Sequence, residues 1–200
     1  PDWPRYAGVD LAASLGKKAA FTVMFTVAVD DRGVRYPVEV IRRKQRFNET
    51  IDMIRSQFLK HSHIGIRVEN NAYQQSVIDQ LGDVAKDIPI AAHHTGVQKM
   101  DEKIGLPSLA TQMANGGWVI PAKDCIRVAL DGSIEIQHSV DDCPCCEWVQ
   151  EMQEAPHGQF SDVLMAMWLA DAAARRRKNM NFQLETIVFN DDRPKAMPWA

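Results

Sequence analysis

The first 43 residues constrain the fold of this chain more tightly than any other part of it. Three apolar runs, Tyr6–Leu11, Ala19–Val29 and Val34–Arg43, are rich in Val, Phe, Ile and Thr. Such runs are short and β-branched enough to read as strands rather than helices. The loop Ala12–Lys18 joins the first two, and Asp30-Asp31-Arg32-Gly33 turns the second back onto the third as a hairpin. Pro37 interrupts the third run. A proline cannot donate to a ladder, so that strand is expected at a sheet edge.

Beyond the meander, strand and helix patterns alternate. Asn48 is read as the cap of a helix to about Lys60, with Ile51, Ile54, Phe58 and Leu59 on one face. Ile64–Val68 reads as a strand, Ala72–Leu81 as a helix and Ile88–Ala92 as a short strand before the polar segment His93–Lys103. Pro107–Asn115 looks helical and stops at Gly116-Gly117, before the apolar run Trp118–Ile120. An inserted hairpin is expected within 122–142, pairing Ile126–Leu130 with Ile134–His138 around Asp131-Gly132. Helices follow at Glu147–Glu154 and at Ser161–Lys178, the latter capped by Ser161, and Phe182–Phe189 suggests a last strand. The order predicts an α/β fold, three antiparallel strands followed by parallel ones. A right-handed crossover sets the fourth strand parallel to the first and beside it. Their C-terminal ends then share the sheet edge where α/β folds bind ligands.

Three acids lie at element boundaries: Asp10 at the end of the first strand, Glu69 at the end of the fourth, and Asp162 in the first turn of the late helix. Asp162 has a bland explanation, since a helix dipole favours an anion there. Together, however, the three could converge on the shared edge. Clustered carboxylates repel one another and make poor architecture unless a cation sits among them. Hard divalent ions such as Mg²⁺ or Mn²⁺ prefer oxygen ligands, and two of them can promote phosphodiester hydrolysis. Asp171, nine residues after Asp162, falls about half a turn round the helix. It is expected to face away.

A net charge of −3 argues against a general polyanion binder, but local basic clusters remain. Arg42, Arg43, Lys44, Lys99 and Lys103 are candidate contacts to a DNA backbone, and His93-His94 lies in the same polar segment as the last two. No apolar stretch nears the roughly 20 residues a membrane span needs, and no signal peptide is seen. The chain begins at Pro1, as expected of a single domain over 1–200 that forms the C-terminal part of a longer protein. Cysteines crowd at 143–146, which is not a dispersed disulfide framework and suggests a reducing compartment. Cys143 and Cys146 have CxxC spacing, with Cys125, His138 and His157 as further possible ligands. A zinc site needs about four ligands, usually paired, and there is no second CxxC, so plain thiols are expected. Nor is CPCC expected to open a helix after a core strand, as a thioredoxin-like motif would.

In GVDLA (Gly8–Ala12), VENNAYQQ (Val68–Gln75) and HGQFSDVLMAMWLAD (His157–Asp171), the chain resembles the nuclease domain of a viral, tailed-bacteriophage DNA-packaging terminase large subunit. KMDEKIGLPSLATQMANGGWVIP (Lys99–Pro121) adds to the likeness, which spans roughly Tyr6 to Ala174. The resemblance implies a ribonuclease H-like mixed sheet flanked by helices. It also implies divalent-metal-dependent cleavage of double-stranded DNA with low sequence specificity, cutting concatemeric genomes during packaging. Asp10, Glu69 and Asp162 match the family's catalytic, metal-holding acids. Many relatives carry two adjacent acids at the last motif, where this chain has Ser161 before Asp162, and His157 is near enough in sequence to contribute. Implied partners are an ATPase domain, a small terminase subunit and a portal, in the host-cell cytoplasm. The ATPase itself is absent from this stretch, which has no GxxxxGK[ST] loop. Two alternatives stay open: a Holliday-junction resolvase-like nuclease, and a docking module of a packaging motor without chemistry.

Overall fold

The computed structural model describes residues 2–11, 21–69, 87–93, 96–120, 126–131, 133–136, 143–155, 157 and 161–189, with backbone alone for 47, 97, 98, 126, 128, 134 and 176–189. Three strands open the chain: β1 (Arg5–Asp10), β2 (Thr22–Val29) and β3 (Arg35–Arg43). Helix α1 (Phe47–His61) leads to β4 (Gly65–Glu69), and β5 (Ile90–His93) precedes a 3-10 turn at Val97–Met100 and helix α2 (Pro107–Ala114). The hairpin β6 (Ile126–Val128) and β7 (Ile134–Ile136) precedes α3 (Pro144–Glu154) and the long α4 (Asp162–Phe189). The expected helix Ala72–Leu81 and the loop Ala12–Lys18 lie outside the described residues.

The main sheet runs β3-β2-β1-β4-β5. β1 is antiparallel to β2 and β2 to β3, whereas β4 lies parallel to β1 and β5 parallel to β4. This is the mixed sheet the element order predicts. β3 is indeed at the edge, and its register slips opposite Thr26/Val27, leaving Val38 as an extra residue beside Pro37. The hairpin forms a separate two-stranded sheet.

Four local expectations are corrected. The backbone of Phe182–Phe189 is helical, because no Gly or Pro interrupts α4 from Asp162 onward. Helix α1 begins before Asn48: Arg46 is its cap, and the Arg46 amide donates to the Glu49 carboxylate at 2.6 Å. Helix α3 begins at Pro144, with Cys143 as its cap, so CPCC does open a helix. A proline fits the first helical position because the amide it lacks would have no intrahelical partner there. The cap expected of Ser161 comes instead from another helix, as described below.

Helix α4 covers one face of the sheet, burying Val163, Ala166, Met167, Leu169 and Ala170 against Tyr6, Val23, Phe25 and Val27. Helix α1 covers the other, with Ile51 and Ile54 against Ala7, Val9, Met24, Ile66 and Val68. The α4 contact is unusually close. A Cβ at Gly8 would collide with the backbone of Ala166 and Ala170 and come within 2.6 Å of Leu169 Cβ. Only a residue with no side chain lets the helix backbone lie on the strand. Gly8→Ala should therefore push α4 away and destabilise the protein by about 1–3 kcal/mol, measured by urea denaturation. An unchanged midpoint would rule out this account of Gly8.

Candidate functional site

Asp10 and Glu69 end β1 and β4, and the parallel register Val9↔Val68 brings those ends side by side. Both acids stand on the face that α4 covers, since Gly8, two residues before Asp10, touches that helix. Asp162 begins α4 one turn before Ala166 and thus lies toward the same edge. The crossover that makes β1 and β4 neighbours supplies one pair of acids, and the packing of α4 on Gly8 supplies the third.

Asp10 is buried, at 8% exposure. Burial pushes its carboxyl up to about 9; its side-chain hydrogen bond with Glu69 and the charges of Glu69 and Asp162 raise it further, opposed by Lys99. Burial and the neighbouring acids thus favour the protonated form of Asp10, and its side chain meets that of Glu69 through a hydrogen bond. Asp162 is also raised, first by burial; Arg42, the Phe21 amide and Lys99 oppose this. Among the described residues no three His, Cys, Asp or Glu side chains form a ready-made ligand group. Asp10 and Glu69 are in contact, and Asp162 faces them at electrostatic range.

The donor set suits a hard divalent cation: carboxylate oxygens, buried enough that one of them keeps a proton far above its ordinary range. Asp10 and Glu69 would hold such an ion, with Asp162 completing the oxygen set. His93 ends β5 in register with Glu69, and its ring meets Trp168 of α4 edge-on at 4.9 Å. A histidine is therefore the next side chain along this edge.

The basic candidates divide. Lys99 is half-buried and close enough to Asp10 and Asp162 to bias both. Its segment is tied to α4, because Trp168 Nε1 and Arg175 Nη2 both donate to the Ile104 carbonyl, at 2.7 and 2.9 Å. Lys103, Arg43 and Lys44 are exposed. Arg42 corrects an expectation: it is no surface contact. Its side chain is 7% exposed, pairs with Glu147 at 3.1 Å, and its guanidinium lies 3.4 Å over the Phe21 ring. Burial beside two acids makes it part of the site's electrostatics.

Asp171 faces away from the edge as expected. It is fully buried and bound by Arg35 at 2.8 Å, Arg175 at 2.9 Å and Gln112 at 3.1 Å. It ties α4 to β3 and α2. His157 is exposed. Two buried acids give no sign of their role in the sequence: Glu147 and Glu151 of α3. One oxygen of Glu151 accepts the amides of both Val163 and Leu164 at 2.9 Å, capping the helix that Asp162 opens. Burial pushes Glu151 up to about 7, opposed by the bond from Leu164. Their EWVQE spacing shows that the two share a helix face but not that the face is buried.

No protein-family model matches the chain, and no curated protein matches it in sequence. Solved structures match its fold. The large terminase nuclease from thermophilic phage G20c with bound zinc superposes with a TM-score of 0.59 at 14% identity, over 86% of this chain and 82% of that one. The same phage nuclease with bound magnesium gives 0.54 at 15% identity, with the same coverage. The human cytomegalovirus terminase nuclease domain gives 0.56 at 14% identity, over 88% of each chain. The chain thus shares the fold of these terminase nuclease domains.

Because the pKa of Asp10 is raised on folding, its stabilising contribution is complete below about 4 and is lost as pH rises through about 9. In chelator, Asp10→Asn should flatten that decline and raise stability at pH 7 by on the order of a few kcal/mol, read from denaturation curves across pH. A variant no more stable than the parent would contradict the proton-sharing pair.

Proposed function

We propose that this chain is a divalent-metal-dependent endonuclease that cuts double-stranded DNA with low sequence specificity, acting on concatemeric viral genomes during packaging. The observation that carries this reading is the buried contact between Asp10 and Glu69, with Asp162 and Lys99 acting on the same spot. A fold shared with terminase nuclease domains supports it.

In this reading Asp10, Glu69 and Asp162 are the catalytic acids and hold Mg²⁺ or Mn²⁺. A bound pair of such ions supplies a nucleophilic water at neutral pH and neutralises charge on the leaving oxygen. Holding a cation would require the Asp10–Glu69 pair to release its proton to solvent, so metal affinity would rise with pH. Lys99 adds positive charge where the scissile phosphate would lie and limits repulsion among the acids. Arg42 does the same for Asp162 from behind. Lys103 and Arg43 are exposed and would meet DNA phosphates farther out, as would Lys44 from its place over the Phe21 ring, whereas Arg42 is buried in its own pair. An ATPase domain, a small terminase subunit and a portal are the partners this role calls for, in the cytoplasm of an infected cell.

Asp10→Asn, Glu69→Gln and Asp162→Asn should each slow plasmid nicking in Mg²⁺ or Mn²⁺ by at least about a hundredfold. Circular dichroism should show the fold retained. Full activity in any one of them removes that residue from the reaction. Running linear duplex beside a four-way junction separates packaging-type cleavage from resolvase-type cleavage. A parent protein that neither cuts nor gains thermal stability from Mn²⁺ would instead be a docking module.

Replacing Lys99 and Lys103 by Ala should weaken DNA binding. The slope of log K against log salt should fall by about 1 for each phosphate that these lysines neutralise. An unchanged slope in a fluorescence-anisotropy titration would reject both as phosphate ligands.

A further inference from the structure

The two buried acids of α3 have no part in the proposed chemistry, yet both of their contacts lead to Asp162. Glu151 accepts the Val163 and Leu164 amides with one oxygen, and its other oxygen, also buried, has no hydrogen-bond donor among the described residues. An acid buried with half its bonding capacity unmet is costly, and nothing in local helix formation requires one twelve residues upstream. One turn earlier, Glu147 binds Arg42 of β3. Arg42 lies on the Phe21 ring, and the Phe21 amide donates to the Asp162 carboxylate. The contacts close a ring: Asp162, Phe21, Arg42, Glu147, one turn of α3, Glu151, and back to the first turn of α4.

We propose that α3 is a brace for the late-helix acid, with Glu151 as a positioning residue for Asp162 and the Glu147–Arg42 pair as its second arm. The inference rests on the nuclease reading above. Its physical basis is that the first turn of a helix has unsatisfied amides and frays unless they are bound. Asp162 occupies that turn. Without Glu151 the turn would be free to unwind, and Asp162 would lose its fixed distance from Asp10 and Glu69. Ser161 does not do this job, since the Val163 and Leu164 amides that a serine cap would bind both go to Glu151 across the helix pair.

The test uses the full chain with Glu151→Ala and Glu151→Gln. Ile54→Val serves as a control, a mild destabilisation on the opposite face of the sheet. In Glu151→Ala the Val163 and Leu164 amides should exchange at least about tenfold faster by NMR, since an amide freed in a frayed turn exchanges with solvent. The kcat for plasmid nicking should fall about ten- to a hundredfold, the scale of a small misplacement, with KM for DNA unchanged. The Mn²⁺ concentration that broadens the Asp162 amide signal should rise. Glu151→Gln keeps an acceptor oxygen and should restore protection and most of kcat.

Should Glu151→Ala not fold, Glu151→Asp takes its place: it keeps the charge, retracts the oxygens by one methylene and should lower kcat severalfold. Unprotected amides with unchanged kcat and unchanged Mn²⁺ response overturn the inference, as does a fall of kcat in Ile54→Val equal to that in Glu151→Ala. A parent chain that neither nicks DNA nor shows Mn²⁺ broadening overturns the nuclease reading and this inference together. An active parent with an indifferent Glu151 variant overturns this inference alone.

Discussion

The approach of α4 to β1 at Gly8 organises the rest of the molecule. With no side chain at that position, the backbone around Ala166 and Ala170 lies directly on the strand. The N-terminal turn of the helix then reaches the end of β1 where Asp10 stands. A side chain at position 8 would lift α4 and carry Asp162 away from Asp10 and Glu69. The glycine that completes the packing on one face of the sheet is therefore also a determinant of the site's geometry.

That geometry stores electrostatic tension. Asp10 and Glu69 are pressed together in a buried position, and Asp10 keeps a proton far above the ordinary carboxylate range. Such a pair is unfavourable as pure architecture and becomes favourable when a cation replaces the proton. The cations already present, Lys99 and Arg42, lie beside the acids without replacing that proton. Lys99 is held there by the tie of Ile104 to Trp168 and Arg175. Arg42 is held by Glu147 and by the face of Phe21.

Around the site, long-range polar contacts take over where local capping runs out. Asp171 links α4 to β3 through Arg35 and to α2 through Gln112. Glu151 links α4 to α3. Asp171 is buried among charged partners, whereas Glu151 is buried on two backbone amides with its second oxygen unmet, and removing a partner from either leaves an unpaired group in the interior. One helix is thus anchored at its first turn and again near its middle, and it carries the third acid of the candidate centre.

Much of this was legible in the residues alone. β-branched runs, the Asp30–Gly33 turn and Pro37 determined the meander and its edge, because period, turn chemistry and a missing amide are local properties. The crossover rule then made β1 and β4 neighbours, which brought Asp10 and Glu69 to one edge. Burial and partner choice were not legible. Arg42 is read from sequence as a contact for DNA phosphates, and nothing in the EWVQE spacing marks Glu147 and Glu151 as buried. Phe182–Phe189 looked like a strand because its apolar residues carry no sign of what precedes them, although the absence of a breaker through α4 was a usable signal. Only the tertiary structure decided which charges face each other, since a carboxylate's behaviour depends on desolvation and on neighbours supplied by distant parts of the chain.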